Sequence, residues 1–414
     1  MQVAVIGGGV IGVCTAYFLA EAGHEVVVIE RLGNVAEGAS FGNAGIIAQS
    51  NVSPWAAPGM PRKLLASVLQ SGSSVLLRRN MDTALWRWLR MWVSECRLDR
   101  YQINKARMQR IATYSWDLLT QLREQHQIDY EQTRGYLQLF RTERDLQLAE
   151  PAITLLTKNN VRHQMLDPDA IRLIEPGINH DMRFVGGISL PDDEAGNCPL
   201  FTKQLRAIAQ SIGVTFRFGS AVQSIQDNNN HVSLHIDGAV FDVDATVVAA
   251  GVDSATLLAP LGIRIPLYPV KGYSATANIK NYDAAPLAAM MDEAYQVSIS
   301  RMGNRIRVSG ITELGARTMD VRDNALRTLI KVGEDWFPDA ANFHTANFWC
   351  GVRPMLPDGA PLLGATPIKG VYLNIGHGSA GWAMAAGSGK VLAALVSGRT
   401  PDIDMDGLTL SRYR

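Results

Sequence analysis

The chain has 414 residues, enough to bury a large core and to form two or three structural units. Its 39 Lys and Arg balance 39 Asp and Glu, so no global field draws nucleic acid or an anionic surface, and any recognition by charge must be local. Cys14, Cys96, Cys198 and Cys350 stand far apart without a CxxC pair, a pattern of reduced thiols in a reducing compartment and not of a disulfide framework or a zinc site.

In chain order, residues 3–6 form an apolar strand, 7–12 a tight loop, 13–22 a helix that stops at Gly23, and 25–29 a second strand. This is a βαβ unit. The apolar run over 3–19 lacks a positively charged start and is interrupted by Gly7, Gly8, Gly9 and Gly12, so it reads as folded structure and not as a secretory signal. No other stretch supplies about 20 uninterrupted apolar residues for a membrane span. After Glu30 the pattern gives way to a Gly, Ala, Ser and Asn loop through Gln49, followed by Pro54, Pro58 and Pro61. Residues 62–127 read as helical. There Trp86, Trp88 and Trp92 beside Arg87, Arg90 and Arg97 suit a core helix with cationic edges better than a membrane interface near a quinone, though peripheral membrane contact stays open.

Short strands follow over 136–140 and 188–190. An amphipathic helix is expected over 201–212, a strand over 214–218, a hairpin over 232–236 and 241–243, and a buried strand over 247–250 that ends at Gly251. Strand character dominates 270–311. A helix over 324–332, a core strand over 371–375 and a small-residue helix over 381–396 complete the chain, with no internal repeat. Core strands of one type thus occur at both ends and in the middle. The fold class is α/β: a Rossmann-like nucleotide-binding domain (1–60, 145–265 and 341–414) interleaved with an α+β substrate domain (61–144 and 266–340) that carries an antiparallel sheet.

Gly7, Gly9 and Gly12 form GxGxxG between strand and helix, with Glu30 at the end of the next strand. Gly7 permits the tight turn, Gly9 lets the backbone approach a pyrophosphate, and Gly12 lets helix and strand pack closely. The free N–H groups at the helix start bind the anion. Glu30 can accept from ribose hydroxyls, which argues against a 2′-phosphate and hence against NADP. The motif alone does not separate FAD from NAD.

Two further regions carry a resemblance: Ala39-Ser40-Phe41-Gly42-Asn43-Ala44-Gly45 with Pro54-Trp55-Ala56-Ala57-Pro58-Gly59-Met60-Pro61, and Gly351-Val352-Arg353-Pro354 with Pro357-Asp358-Gly359, Gly376-His377-Gly378-Ser379-Ala380-Gly381-Trp382 and Gly387-Ser388-Gly389. With these motifs the whole chain resembles the FAD-dependent D-amino acid dehydrogenase branch of the D-amino acid oxidase and glycine oxidase superfamily. The resemblance implies a noncovalent FAD between the two domains, a small amino acid substrate, and electron delivery to a quinone or a partner protein. It implies a cofactor-binding set of Gly7, Gly9, Val10, Ile11, Gly12, Glu30, Arg31, Ser40, Asn43, Ala44, Gly45, Ile47, Val222, Gly251, Gly378, Ser379, Ala380 and Gly381. Residues 46–52 depart from the commonest dehydrogenase pattern, which weakens a preference for D-alanine.

For such chemistry the protein holds the carboxylate and aims the α-C–H, while the cofactor supplies the redox step. The resemblance implies that Arg353 pairs with the substrate carboxylate, a task that suits a guanidinium because it grips a carboxylate with two parallel hydrogen bonds; a surface or core salt bridge is the alternative. Tyr273 either contacts the carboxylate or caps the pocket, with a buried structural tyrosine as the alternative. Lys271 either lies near the flavin or is solvated, and Trp55 forms a lid or packs. His377 is not expected to be an obligatory base, since hydride loss from a neutral amine needs no proton abstraction from carbon. N–H groups over 376–381 can stabilise negative charge on reduced flavin.

The expected activity is oxidation of a D-amino acid, including cyclic ones such as D-proline or D-hydroxyproline. An oxygen-using glycine or sarcosine oxidase, an NAD-dependent dehydrogenase and a non-catalytic subunit of a heteromeric complex are the alternatives. The expected location is the cytoplasm or the cytoplasmic face of the inner membrane, without nucleic acid and without a metal; the oligomeric state is left open.

Overall fold

The computed structural model describes residues 1–50, 52–68, 75–78, 82–158, 160–229, 231–316 and 318–413. Its first sheet runs, edge to edge, Leu362–Ala365, Val371–Ile375, Ala245–Val248, Gln2–Ile6, Glu25–Ile29 and Thr215–Arg217. All neighbours are parallel except the Leu362–Ala365 edge. Covered on both faces, these strands are nearly continuous apolar runs. Alternation then sends Val3, Val5, Val26 and Val28 into a core shared with helices Val10–Glu21, Leu98–His126, Cys198–Ser211 and Gly381–Val396. Ala4, Ile6 and Ile29 point the other way, toward the three-stranded sheet Val222–Asp227, Val232–Ile236 and Ala239–Val243.

The C-terminal helix needs its small residues for this packing. A Cβ on Gly389 would lie 2.8 Å from the Cys14 backbone, and one on Gly387 2.9 Å from the Ile111 carbonyl, so the helices meet at backbone distance.

The second sheet runs Asn347–Met355, Tyr268–Asn278, Arg305–Leu314, Val297–Met302, Ala289–Asp292, Thr133–Phe140, Gly186–Ala195 and Ile46–Ile47. Val75–Leu77 and Gln164–Leu166 pair off this path. Helix Asp323–Trp336 covers one face through Leu329, Val332 and Trp336.

One helix and two strands pack outside the groups in which the sequence-drawn ranges put them. Leu98–His126, expected with 61–144, gives Met108, Ile111 and Leu119 to the nucleotide-side core. Gly186–Ala195 and Asn347–Met355, expected on the nucleotide side, are strands of the larger sheet. Long-range pairing decides such membership, and local pattern does not encode it. The helical run over 62–127 resolves into Met60–Val68, Thr83–Glu95 and Leu98–His126, with a strand at Val75–Leu77; its residues 69–74 and 79–81 lie outside the described residues. Asp82 starts the second helix by accepting from the Leu85 N–H at 2.7 Å. Trp88 and Trp92 are buried there while Trp86 is exposed, as a core helix requires. Helix Glu143–Lys158, with Pro151 inside it, is not among the elements expected from the sequence.

Candidate active site

The nucleotide loop sits at the carboxyl ends of the parallel strands, where open α/β sheets bind ligands. Gly7 adopts φ 114°, and a Cβ there would come within 2.5 Å of the Ala249 carbonyl. A Cβ on Gly12 would strike the Gly7 carbonyl at 1.8 Å, so any larger residue forces helix and strand apart. Gly9 is less crowded; its Cβ would meet Ser40 Oγ at 3.4 Å. The Val10 N–H donates to Ser40 Oγ at 3.1 Å, which ties the helix start to the expected flavin loop. The other first-turn N–H groups, Ile11 and Gly12 among them, have no intrahelical acceptor. Glu30 is fixed by accepting from the N–H groups of Gly8 at 2.5 Å and Leu32 at 2.8 Å. Arg31 pairs with Asp253 at 2.8 Å, just after Gly251, which has φ 57°. Val222 opens the neighbouring small sheet and is partly buried beside its core.

Residues 40–45 are pinned between the sheets by hydrogen bonds. Asn43 Oδ1 accepts from the Gly45 N–H at 2.8 Å, and Gly45 turns with φ 86°. The Arg307 guanidinium donates to the carbonyls of Phe41 at 2.8 Å and Asn43 at 2.9 Å, while Ser300 Oγ donates to that of Ala44 at 2.6 Å. Ile47, buried, then pairs with Glu194 in the larger sheet. These contacts identify the face of that sheet bearing Arg307 and Ser300 as the one turned toward the cofactor loop.

Arg353 lies on the same face. Strand alternation groups it with Trp349 and Gly351, and register pairs Gly351 with Gly272. Its guanidinium packs flat over Gly272, where a Cβ would sit 2.4 Å from Cζ. It donates to the carbonyls of Ile311 at 3.3 Å and Gly310 at 3.5 Å, and has no carboxylate partner among the described residues. Burial alone pulls its pKa down to about 10, so it remains a cation without a counter-charge. Ile311 holds φ 55°, a left-handed conformation that strains a β-branched residue. It lies where the register slips between Lys271 and Tyr273, and that slip aims its carbonyl at Arg353.

The loop at 376–381 closes the other side. Gly376 and Gly378 take φ 80° and 57°, a bridge joins His377 to Met355, and helix Gly381–Val396 begins at Ala380 without a side-chain cap. The N–H groups around Gly378, Ser379, Ala380 and Gly381 therefore form an uncapped positive end beside the Arg353 strand. His377 is buried, shares a hydrogen bond of 2.9 Å with Ser388 Oγ, and is pushed down to about 3 by burial. It stays neutral and points inward.

Tyr273 faces away from this cleft. It pairs with Cys350 and packs under helix Asp323–Trp336, and its hydroxyl donates to Glu313. Tyr273 and Arg353 are therefore on opposite faces of the sheet, and the expected contact with a bound carboxylate is not formed; a strand's period of two separates them. Lys271 is neither near the cofactor loop nor solvated. Fully buried, it donates to the carbonyls of Thr318 at 3.0 Å and of Asp320, and lies 3.7 Å from Glu313, which also binds Arg78 at 2.6 Å. Trp55 packs against Trp92 and Trp88, with ring centroids at 4.7 and 6.0 Å, in a cluster with Val270 and Met355.

Sequence reasoning missed Trp349. Built Cβ atoms on Gly42 and Gly351 would each lie 2.0 Å from its indole, so one ring explains a glycine in each of two motifs. The adjacency of the two glycine motifs to one tryptophan was the signal, but it exists only once strand and loop meet.

Residues 2–395 match the family of FAD dependent oxidoreductases. The chain is 42% identical over its whole length and the whole of its relative to a D-amino acid dehydrogenase of Vibrio vulnificus, and 43% identical, again over both full lengths, to one of Methylobacterium radiotolerans. In structure it is similar to a glycine oxidase from Geobacillus kaustophilus, with a TM-score of 0.77, 23% identity and 99% of each chain covered.

Proposed function

This chain belongs to the FAD dependent oxidoreductase family, and from that premise we propose that it oxidises the α-C–N bond of a D-amino acid and passes the electrons to a quinone or a partner protein in preference to oxygen. The residues present fit the cofactor. Gly7, Gly9 and Gly12 leave backbone room for a pyrophosphate, Glu30 is held by two N–H groups where ribose hydroxyls would lie, and the uncapped turn over 378–381 suits an anionic flavin edge. Bound FAD supplies the two-electron acceptor for the substrate's α-hydride.

The observation that carries the reading is Arg353, a partly buried guanidinium without a counter-charge among the described residues, on the face turned toward the cofactor loop. Such a cation is unfavourable until an anion arrives. A planar carboxylate matches its two Nη donors, and the Gly272 surface and the carbonyls of Gly310 and Ile311 hold it in one orientation. Fixing the carboxylate leaves the α-carbon one bond away to be aimed, which is the positioning that such a reaction asks of a protein. Burial disfavours protonation of His377, which makes it a poor proton acceptor, and the reading gives it no part in proton removal.

The expected location is the cytoplasm or the cytoplasmic face of the inner membrane. Among the described residues no helix is long and apolar enough to cross a membrane. The test is anaerobic spectroscopy of the purified protein with D- and L-amino acids, glycine, sarcosine and both prolines. Bleaching of the flavin band by a D-amino acid, fast to recover with a quinone and slow with air, is the expected result. Bleaching by glycine or sarcosine with fast recovery in air would replace the dehydrogenase reading by an oxidase.

A further inference from the structure

The cofactor-facing side of the large sheet carries polar groups that the carboxylate grip does not use. Register aligns Trp349, Ser274, Ser309, Ser298, Met291 and Gln138 as successive neighbours across the strands. Paired residues share a face, and this row lies two residues along from the row in which Arg307 and Ser300 hold the cofactor loop, so it faces the same way. The floor beside Arg353 is therefore a row of three serines bounded by an indole at one end and a thioether toward the other. It contains no charged side chain.

Ser309 stands out within it. It is 5% exposed, its Oγ has no hydrogen-bond partner, and the carbonyl of the next residue, Gly310, accepts from Arg353. Ser298 Oγ, by contrast, points to Met291 Sδ at 3.8 Å. Buried hydroxyls are nearly always paired, so an unpaired one next to a substrate-gripping arginine calls for a partner brought by the ligand. A hydroxyl can both donate and accept, and the two cations nearest it on this face are already engaged, Arg307 by the carbonyls of Phe41 and Asn43 and Arg353 by the proposed carboxylate, so a neutral polar group is the partner left for it.

We propose that Ser309 is a specificity-determining residue: with the carboxylate on Arg353, its hydroxyl pairs with a polar group on the substrate's side chain or ring and selects D-amino acids that carry a hydroxyl over their hydrocarbon analogues. This rests on the D-amino acid reading above. A site built to hydrogen-bond a substrate hydroxyl rejects the analogue lacking it, because the protein group is otherwise buried unpaired.

The experiment compares kcat/KM for two pairs that differ by one hydroxyl, D-serine with D-alanine and ring-hydroxylated D-proline with D-proline, in the wild type, Ser309→Ala and Ser309→Thr. The wild type is expected to favour the hydroxylated member of at least one pair by roughly tenfold or more. In Ser309→Ala that preference falls toward one, through a raised KM for the hydroxylated substrate, and Ser309→Thr, which keeps a hydroxyl, restores it. A wild type that prefers the hydrocarbon member of both pairs, or an alanine variant that keeps the preference or slows both members equally, overturns the assignment while flavin bleaching by D-amino acids leaves the proposed function standing. A wild type bleached by no D-amino acid overturns both.

Discussion

The nucleotide end and the amine end of the cleft are built by different means. At the nucleotide end, Gly7 to Glu30 is one continuous stretch whose working parts are mostly backbone: a turn, an uncovered helix start, and a carboxylate held by the N–H groups of Gly8 and Leu32. At the amine end, Gly42, Gly272, Ser309, Trp349 and Arg353 converge from separate segments, and the working parts are side chains. There polar groups are left wanting, with Arg353 lacking a counter-charge and Ser309 Oγ lacking a partner, while Ile311 is strained beside them. A cofactor common to many enzymes is met by backbone groups that one local stretch of chain supplies. On the proposed function, a substrate is met by groups whose partners it must bring.

The sharpest way to break this contrast is at Gly12. A Cβ 1.8 Å from the Gly7 carbonyl cannot be accommodated by rotating a side chain, so Gly12→Ala is expected to yield protein without flavin absorbance, and retention of a full flavin complement would deny the backbone its role. Arg353→Met comes next. Removing one member of a desolvated charge pair costs about 2–5 kcal/mol, so kcat/KM should fall by roughly one and a half to three and a half orders of magnitude while flavin content is unchanged. Arg353→Lys should recover a part, since an ammonium cannot reproduce the fork.

Tyr273→Phe probes the covered face of the same sheet. Loss of the hydroxyl that Glu313 accepts should lower stability by about 1–2 kcal/mol, read as a fall in Tm, with turnover unaffected. A selective loss of turnover would return Tyr273 to the cleft.

The smallest effect is expected at the joint between the two regions, where Asp193 accepts from the Ser50 N–H at 3.0 Å. Burial pushes its carboxyl up to about 7, more than that hydrogen bond offsets. A carboxyl with a raised native pKa contributes stability that is present below the unfolded value near 3.8 and is lost as pH rises through 7. Asp193→Asn should therefore match or trail the wild type in Tm at pH 4 and exceed it at pH 8. A Tm difference independent of pH would show that the carboxyl does not titrate with folding.

The βαβ unit, the strand over 371–375 and the helix over 381–396 could be read from the sequence because each pattern is complete within one continuous stretch of chain. The helix over 381–396 and the strand over 371–375 indeed end where the pattern ends. Helix Glu143–Lys158 was not read, since Pro151 inside it argues against a continuous helix although Leu146, Ala149, Ile153 and Leu156 recur at helical spacing and pack in one cluster. Arg353 was singled out by its motif, whereas Trp349 and Ser309 carry no local mark.

By itself, then, the sequence determined what depends on neighbours along the chain: the dinucleotide loop with its acid, and through its motifs the family and its cofactor. Tertiary structure alone decided which side chains share the cleft. It turned Tyr273 and Lys271 into the covered face, brought Gly42 and Gly351 against one indole, and left Arg353 and Ser309 unpaired together. The physical reason is the two-residue period of a strand. Which face a residue takes depends on register with partners far away in the chain, and in Arg305–Leu314 on the slip at Ile311, so a single step of register exchanges cleft for core.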